Sequence, residues 1–476
     1  MSHAFRHGYV AADHAIELRD LPGWRSGRVG RFTVHRHPVT RWVTAANGSA
    51  EVAILGDAVD IDAGTADSAE IAQSVLSALT SGVDRAVRYV AYLGGRATVL
   101  LYRDGELVVV PDYAATQPVF WHHDASGTVF SSHAHLAGEV VGAPVNEPYR
   151  ALMRQANEMK TKGTIYWPGI ETPFIGVLPV LPNHVLRVRA GQTPRHERFY
   201  PFPDTTLERD PDRAFKVFSE VFSEHVRLLC TLSRHIGLSL TGGRDSRTTL
   251  AAAWPHLSPA FARTWTYLNV PAPTKVMADD AEAAARVARE YGLSHHLIDL
   301  HDKAPEDFAP MPAFEKDYFR TMRYTPQFRR LAVAYAEQLP PATIQLKSMV
   351  AEAGTGFYKK RSGVPDVGRL TYLYSPTPFG ELPLVHSAFE RFSAYSGLSV
   401  DAAGELDWHD LYYIECRMIK WGSLRMQECD LSHRTLMPFN SRGVIEALLG
   451  PDLEHRGDKQ ALTRFIAERG REQNRA

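Results

Sequence analysis

The segment Thr241–Arg247, TGGRDSR, lies between a short apolar run, HIGLSL (His235–Leu240), and a helix-forming one, DSRTTLAAAW (Asp245–Trp254). A strand that turns through paired glycines straight into a helix restricts the fold sharply. It calls for a sheet end at which backbone N–H groups are exposed, and such a turn is an anion nest. The helix beginning near Asp245 adds the positive end of its dipole. Thr241 and Ser246 supply hydroxyl donors for phosphate oxygens. Asp245 is a poor phosphate neighbour unless it holds Mg²⁺ between itself and the phosphates. The alternative is a simple helix cap. The patterns GxxxxGK[ST] and GxGxxG are both absent here.

The periodicity on either side differs. From about Arg31 to Glu197 it is strand-like: RATVLLYRDGELVVVPD (Arg96–Asp112) reads as a hairpin turning at Arg103-Asp104-Gly105. Val119–His123, Thr128–Ser132 and Asn183–Gln192 read as further strands, with a helix over Ser68–Leu79. Arg198–Arg213 lacks periodicity and is taken as a linker. Beyond Pro211, helices (Ala214–Cys230, Met277–Gly292) alternate with short strands (His235–Leu240, Phe261–Leu268, Ser294–Leu300). That alternation predicts a mainly parallel sheet covered on both faces. Only the tail, Arg469–Ala476, looks frayed.

Composition excludes several classes. The 476 residues exceed one ordinary core and suggest two or three domains. Lys and Arg number 53 against 54 Asp and Glu, for a net charge of -1, which argues against coating nucleic acid or an anionic membrane. No apolar run approaches the ~20 residues of a membrane span, and mean hydropathy is -0.24. The start, MSHAFRHGYVAADHA, does not read as a signal peptide. With three cysteines (Cys230, Cys416, Cys429), a disulfide scaffold is excluded and a cytoplasmic location is expected. The 21 histidines include no HExxH and no paired CxxC. His295-His296 point to opposite sides of a strand, which argues against a shared metal.

TGGRDS after a short hydrophobic strand resembles the pyrophosphate-binding loop, SGGxDS, of the asparagine synthetase-like N-type ATP pyrophosphatases. The likeness runs along most of the chain. VVVPDYAATQPVFWHHDASGTVFSSHAHLA (Val108–Ala137) and ETPFIGVLPVLPNHVLRV (Glu171–Val188) are similar to segments of that family's sandwich domain and inter-domain gateway. DDAEAAARVAREYGLSHHLIDL resembles its D-x-x-x-A-x-x-V-A-x-x-L-G-x-x-H-H pattern. LKSMVAEAGTGFY (Leu346–Tyr358) stands where the family has SGEGADELFGGY, and Glu352 falls on the acidic Mg²⁺ ligand, with Glu for Asp. MPFNSRGVIEALLG (Met437–Gly450) resembles PFLD-x-R, and Lys459 falls on the lysine of K-x-x-L-R, with Arg456 as a nearby assistant.

The resemblance implies an α+β, class II amidotransferase-like (Ntn-type) sandwich over residues 1–205, in degenerate form. An α/β parallel-sheet adenylating synthetase domain would follow over 206–476. The family's glutaminase uses an N-terminal cysteine, whereas this chain begins Met1-Ser2-His3 and has no cysteine before Cys230. Glutamine hydrolysis is therefore not expected, as in the β-lactam synthetase and lasso-peptide macrolactam synthetase relatives of that family. The resemblance then implies an AMP- and pyrophosphate-forming amide synthetase of specialised-metabolite or peptide modification, joining a small-molecule or peptide carboxylate to an amine, with ATP and Mg²⁺ as cofactors. Nucleic acid and membrane are not expected partners, and a homodimer is left open.

Leu240, Thr241, Gly242, Gly243, Asp245, Ser246, Arg247 and Ser348 are the expected nucleotide-binding residues, and Asp245 and Glu352 the metal ligands. Lys459 would neutralise the leaving pyrophosphate. On the helix ELDWHDLYYIECRMIKWGSLRMQ (Glu405–Gln427), Glu415 and Tyr412 are the expected acid–base pair, with Tyr413, Arg417 and Trp421 beside them. The alternative for Glu415 is a core ion pair with an arginine. Arg244 and Arg247 depart from the family pattern; Arg247 reaches either a phosphate or substrate anion, or an acid outside the site. Lys359, Lys360 and Arg361 either guide ATP or form a solvated charge run. Two further readings keep less of this chemistry: an adenylating nitrogen or sulfur transferase acting on a nucleotide or RNA, or a non-catalytic scaffold. The near-zero charge disfavours RNA.

Overall fold

Asp104 and Gly105 both take positive φ (51° and 79°), and this turn matches the right-handed twist of the strands it joins. It closes a hairpin at the centre of one of the chain's sheets. The computed structural model describes residues 3–159, 166–268, 275–300, 312–325, 328–340 and 343–473. In chain order the strands before the linker are β1 (Tyr9–Ala12), β2 (Arg25–Val29), β3 (Phe32–Arg36), β4 (Trp42–Asn47), β5 (Ala50–Val59) and β6 (Gly94–Arg103). They continue with β7 (Glu106–Pro111), β8 (Phe120–Asp124), β9 (Gly127–Ser131), β10 (Leu178–Pro179), β11 (His184–Arg189) and β12 (Arg195–Arg198). They form two six-stranded sheets, ordered β10-β8-β9-β1-β3-β2 and β12-β11-β7-β6-β5-β4.

Alternation along β5 shows how the layers stack. Ala53 and Leu55 join Tyr9, Phe32 and Phe130 between the two sheets, while Val52 and Ile54 meet Ile71, Val75 and Leu79 of the helix Ser68–Ser81. Leu136 of the helix Ala134–Val141 covers Val10 and Ala12 on the outer face of the other sheet. The result is a helix–sheet–sheet–helix sandwich.

Beyond the non-periodic stretch the grammar becomes parallel. β13 (Ile236–Ser239), β14 (Arg263–Leu268), β15 (His295–Asp299), β16 (Ile344–Leu346) and β17 (Arg434–Leu436) form a sheet in the order β15-β14-β13-β16-β17, every pair parallel. A Cβ at Gly237 would lie 2.4 Å from the Trp265 ring, so β13 and β14 pack only because this residue has no side chain. Strand order reverses at β13, and in open α/β sheets ligands bind in the crevice beyond such a switch point. Thr241 and Ser348 follow the two strands that flank it.

Some elements depart from the expectation. β16 and β17 have three residues each, too few to show a period. The helix expected through Glu405–Gln427 becomes a π-helix over Tyr413–Gly422. The tail expected to fray is helical to Gln473, and residues 474–476 lie outside the described ones. Among the described residues no helix is long and apolar enough to cross a membrane.

Buried charges join the sandwich to the parallel sheet. Arg96 of β6 pairs with Asp430 at 2.7 Å, their side chains 1% and 2% exposed. Arg434 of β17 pairs with Asp57 of β5 at 2.8 Å and reaches Asp430 at 3.4 Å. Removing one partner strands the other's charge in the interior. Arg96→Met is therefore expected to cost about 3–5 kcal/mol in urea unfolding. Wild-type protein is expected to lose both halves in one transition; two separate transitions would show that the seam does not couple them.

Candidate active site

The loop between β13 and the helix Arg244–Ala253 is held by its own hydroxyls. Ser246 Oγ accepts from the Thr241 N–H at 3.1 Å, and Thr241 Oγ1 accepts from the Gly243 N–H at 3.1 Å. A Cβ at Gly242 would lie 2.8 Å from Asp280 Oδ1 and 3.1 Å from Ala283 Cβ on the helix Lys275–Glu290, so the loop passes close to that helix. Asp245 stands in the first helical turn, but the cap residue is Gly243 and no side-chain cap bond forms. Its carboxylate faces outward and accepts from Lys459 Nζ at 2.7 and 2.6 Å. Ser348 hydrogen-bonds Thr249 at 2.8 Å, tying the end of β16 to the loop helix.

Glu352 approaches from the short helix Ala351–Gly354. Loss of solvent and then the charge of Asp245 raise its carboxyl pKa, against the opposing pull of Lys459 and of the Tyr413 phenol. Tyr413 Oη donates to Glu352 Oε2 at 3.4 Å. The backbone is strained on both sides of the cluster. Val350, β-branched, has φ 78°, and Lys459 has φ 54°. Such conformations persist only where the surroundings impose them. Lys359 lies close enough to Lys459 to be affected by its charge, with its pKa lowered first by burial.

These carboxylates are hard oxygen donors of the kind Mg²⁺ takes. Among the described residues no cluster of three or more metal-ligating side chains occurs. Asp245 and Glu352 therefore fit the ion only as part of a shell that phosphate oxygens would complete, the arrangement usual for Mg²⁺.

The expected acid–base pair is corrected. Glu415 is fully buried and accepts from Arg198 at 2.6 and 2.7 Å and from Asn183 at 2.9 Å, so its carboxylate belongs to the domain seam. Tyr412 is equally buried and donates to the Leu370 carbonyl at 2.9 Å. The reason is angular: residues one and two positions from Tyr413 lie on other faces of a helix, while spacings of four share its face. Tyr413 is the phenol that meets Glu352. Arg456 is likewise taken up by Asp410 at 2.8 Å, and Arg361 by Asp410 at 2.6 Å. Arg244 donates to the Asp458 carbonyl at 3.0 Å, and Arg247 to that of Gly243 at 3.4 Å. His295 meets Thr264 and Thr266 while His296 meets Gln338. Lys347 was not anticipated: its ammonium is buried 5.9 Å from the Tyr267 ring centre, with no hydrogen-bond partner among the described residues. A lysine ending an apolar strand run was the available signal.

No protein-family model matches the chain, and no curated protein matches it in sequence. Among solved structures, it is similar to a glutamine phosphoribosylpyrophosphate amidotransferase from B. subtilis complexed with ADP and GMP. That match has 9% identity over 74% of this chain and 72% of that one, with TM-score 0.25. A second match is an allosteric regulatory enzyme of purine biosynthesis, with 10% identity over 72% and 70% and TM-score 0.25. Scores this low carry no argument about chemistry.

A carboxyl whose pKa folding raises costs stability when ionised; its favourable contribution is present at low pH and is lost as pH rises through the folded value. Glu352→Gln cannot ionise. Without Mg²⁺ it is expected to raise the melting temperature by ~2 °C at about pH 8 and to change it little near pH 4. Scanning calorimetry at both pH values checks the sign.

Proposed function

We propose that this chain is an ATP-dependent, AMP-forming amide synthetase of the asparagine synthetase-like kind, with its sandwich half a degenerate class II amidotransferase-like domain. One observation carries the reading: Lys459, Asp245 and Glu352, distant in sequence, gather beside a glycine loop at the sheet's switch point. The strained Val350 adds support, because it aligns with the second glycine of SGEGADELFGGY, where positive φ costs least.

The loop N–H groups and the helix start bind the phosphates of ATP. When bound, Mg²⁺ neutralises phosphate charge between Asp245 and Glu352. The substrate carboxylate oxygen attacks the α-phosphorus, and the bond to pyrophosphate breaks toward Lys459. The amine nitrogen then forms a bond to the acyl carbon and AMP leaves with the electron pair, the amine proton passing to water. Lys459 exchanges its pairing with Asp245 for pairing with the phosphates, acting on charge that develops in the transition state. Tyr413 orients Glu352. Holding both reactants in one cleft replaces a bimolecular encounter with a positioned one.

ATP–pyrophosphate exchange with pooled carboxylic acids, amino acids and short peptides tests the proposal. Exchange is expected to require a particular acid, to fall at least about 100-fold in Lys459→Met and to vanish in Asp245→Ala. If no pool supports exchange, and no AMP forms when amines and cell extract are added, the chain is not a ligase.

A further inference from the structure

Lys347 carries a buried charge that the fold does not use. The residue is only 8% exposed, and its ammonium has no hydrogen-bond partner among the described residues. Other interior cations are met: Arg96 and Arg434 by carboxylates, and Lys420 by the Glu171 carbonyl. An unpaired ammonium in the interior is costly, and a group left so calls for an explanation. The acceptors around it are already taken. Gln345 Oε1 accepts from His433 Nε2 at 2.8 Å and from Thr435 Oγ1 at 3.1 Å. His433 is held neutral, its pKa lowered to about 3 by burial and then by the charge of Lys347. The helix Ser423–Asp430 covers this face through Cys429, but its Glu428 pairs with Arg425 and its Asp430 with Arg96, each at 2.7 Å.

The register shows where this charge stands. Lys347 donates its N–H to the Leu436 carbonyl at 3.0 Å, which extends β16 by one residue. Successive strand residues point to opposite faces. Ser348 turns to the loop helix, where it meets Thr249, and Lys347 to the other face, which it shares with Gln345. Leu238 lies beside Leu346, so Lys347 is level with Ser239 of β13, and Ser239 in turn lies beside Trp265 of β14. The ammonium ends 5.9 Å from the ring of Tyr267, which is also on β14. The side chain therefore spans β13 just before the glycine loop begins, on the face away from the loop helix.

In the proposed reaction the loop and Lys459 serve the pyrophosphate end of ATP. A phosphate chain that leaves the loop and crosses the end of β13 brings its α-phosphoryl group to the other face. That group still holds a negative charge once pyrophosphate has gone. An ammonium is a compact point charge suited to phosphoryl oxygens, whereas a guanidinium fork is the better match for a carboxylate. We propose that Lys347 binds the α-phosphoryl group of the adenylate and of AMP. The inference rests on the ligase reading and adds a second cation to its site. Lys459 answers the charge that departs with pyrophosphate, and Lys347 the charge that stays.

Calorimetric titration of the full-length protein in Mg²⁺ with AMP, adenosine, inorganic phosphate and pyrophosphate tests this. AMP is expected to bind more tightly than adenosine or inorganic phosphate. Lys347→Met is expected to lower AMP affinity about 10- to 100-fold and to leave adenosine and pyrophosphate at wild-type values. Lys347→Arg, which keeps the charge, is expected to lose less. Because Lys347→Met removes an unpaired buried charge, its ligand-free melting temperature is expected to equal or exceed that of wild type. The proposal is overturned if wild type binds AMP no more tightly than adenosine, if Lys347→Met keeps the AMP affinity, or if adenosine weakens by the same factor. A lower melting temperature in Lys347→Met also overturns it, since the lysine would then be structural. So does a loss of pyrophosphate affinity, which would assign Lys347 to the leaving group, or inorganic phosphate binding as tightly as AMP. ATP–pyrophosphate exchange beside an AMP affinity indifferent to Lys347 would refute this role alone. AMP held through Lys347 without exchange on any acid would refute the ligase reading and leave the phosphoryl contact standing.

Discussion

The arrangement depends on a seam of buried charge. Arg96 and Asp57 lie on β6 and β5 of the sandwich, and Asp430 and Arg434 lie just before and at the start of β17 of the parallel sheet. Burying such groups gains little net stability over an apolar seam. What it supplies is registry, because each guanidinium has one geometry that satisfies its donors. Arg434 also donates to the Arg96 carbonyl at 3.1 Å, so the backbone of one sheet is tied to the side chain of the other. Asn440 extends the join, donating to the Gly95 carbonyl at 2.6 Å and to Asp112 at 2.8 Å. His225 closes it, accepting from the Gly95 N–H at 3.1 Å and donating to the Pro438 carbonyl at 2.7 Å. Accepting at Nε2 while donating from Nδ1 requires the neutral imidazole, and burial lowers its pKa to about 4.

At the cleft the charged side chains stand on short, strained connections. Glu352 follows a residue at φ 78°, and Lys459 itself sits at φ 54° between two helices. Lys459 reaches Asp245 directly, and Glu352, on a short buried helix, lies within its field. Larger bodies supply the stiffness: the loop helix through Thr249 and Ser348, and the Arg361–Asp410–Arg456 cluster beneath the lysine turn. Arg456 donates to the carbonyls of Gly354 at 3.0 Å and Ala353 at 3.4 Å, which fixes the helix of Glu352 directly. A residue expected near the pyrophosphate thus positions a carboxylate from behind.

Legibility in the sequence followed the length of each signal. The hairpin at Asp104-Gly105, the strand before the glycine loop and the long helix after Pro211 carry enough period or turn chemistry to be read directly. The strands β16 and β17 do not, being three residues long and defined by their neighbours. Lys459 and Glu352 are expected only through the resemblance of their segments to a family's motifs, since nothing local distinguishes a lysine or a glutamate that faces Asp245 from one that faces water. Glu415 was assigned to the wrong side because composition names the residues of a helix but not its rotation. That rotation is set by which face finds a partner, and Arg198 and Asn183, more than 200 positions earlier, are the partners that decide it.

That rotation links the two halves of the molecule. One side of the π-helix offers Glu415 to Arg198 and buries Lys420, which donates to the Glu171 carbonyl; both partners come from the sandwich half. The other side offers Tyr413 to Glu352 and lays Arg417 against the Phe357 ring. A π-helix lacks the regular α bond ladder and is costly by itself, and such stretches occur frequently at functional sites. Here buried polar anchors on the first side hold the second side in register. The sandwich therefore has a positioning role that needs no chemistry of its own. It fixes the angle at which the helix presents Tyr413 to Glu352.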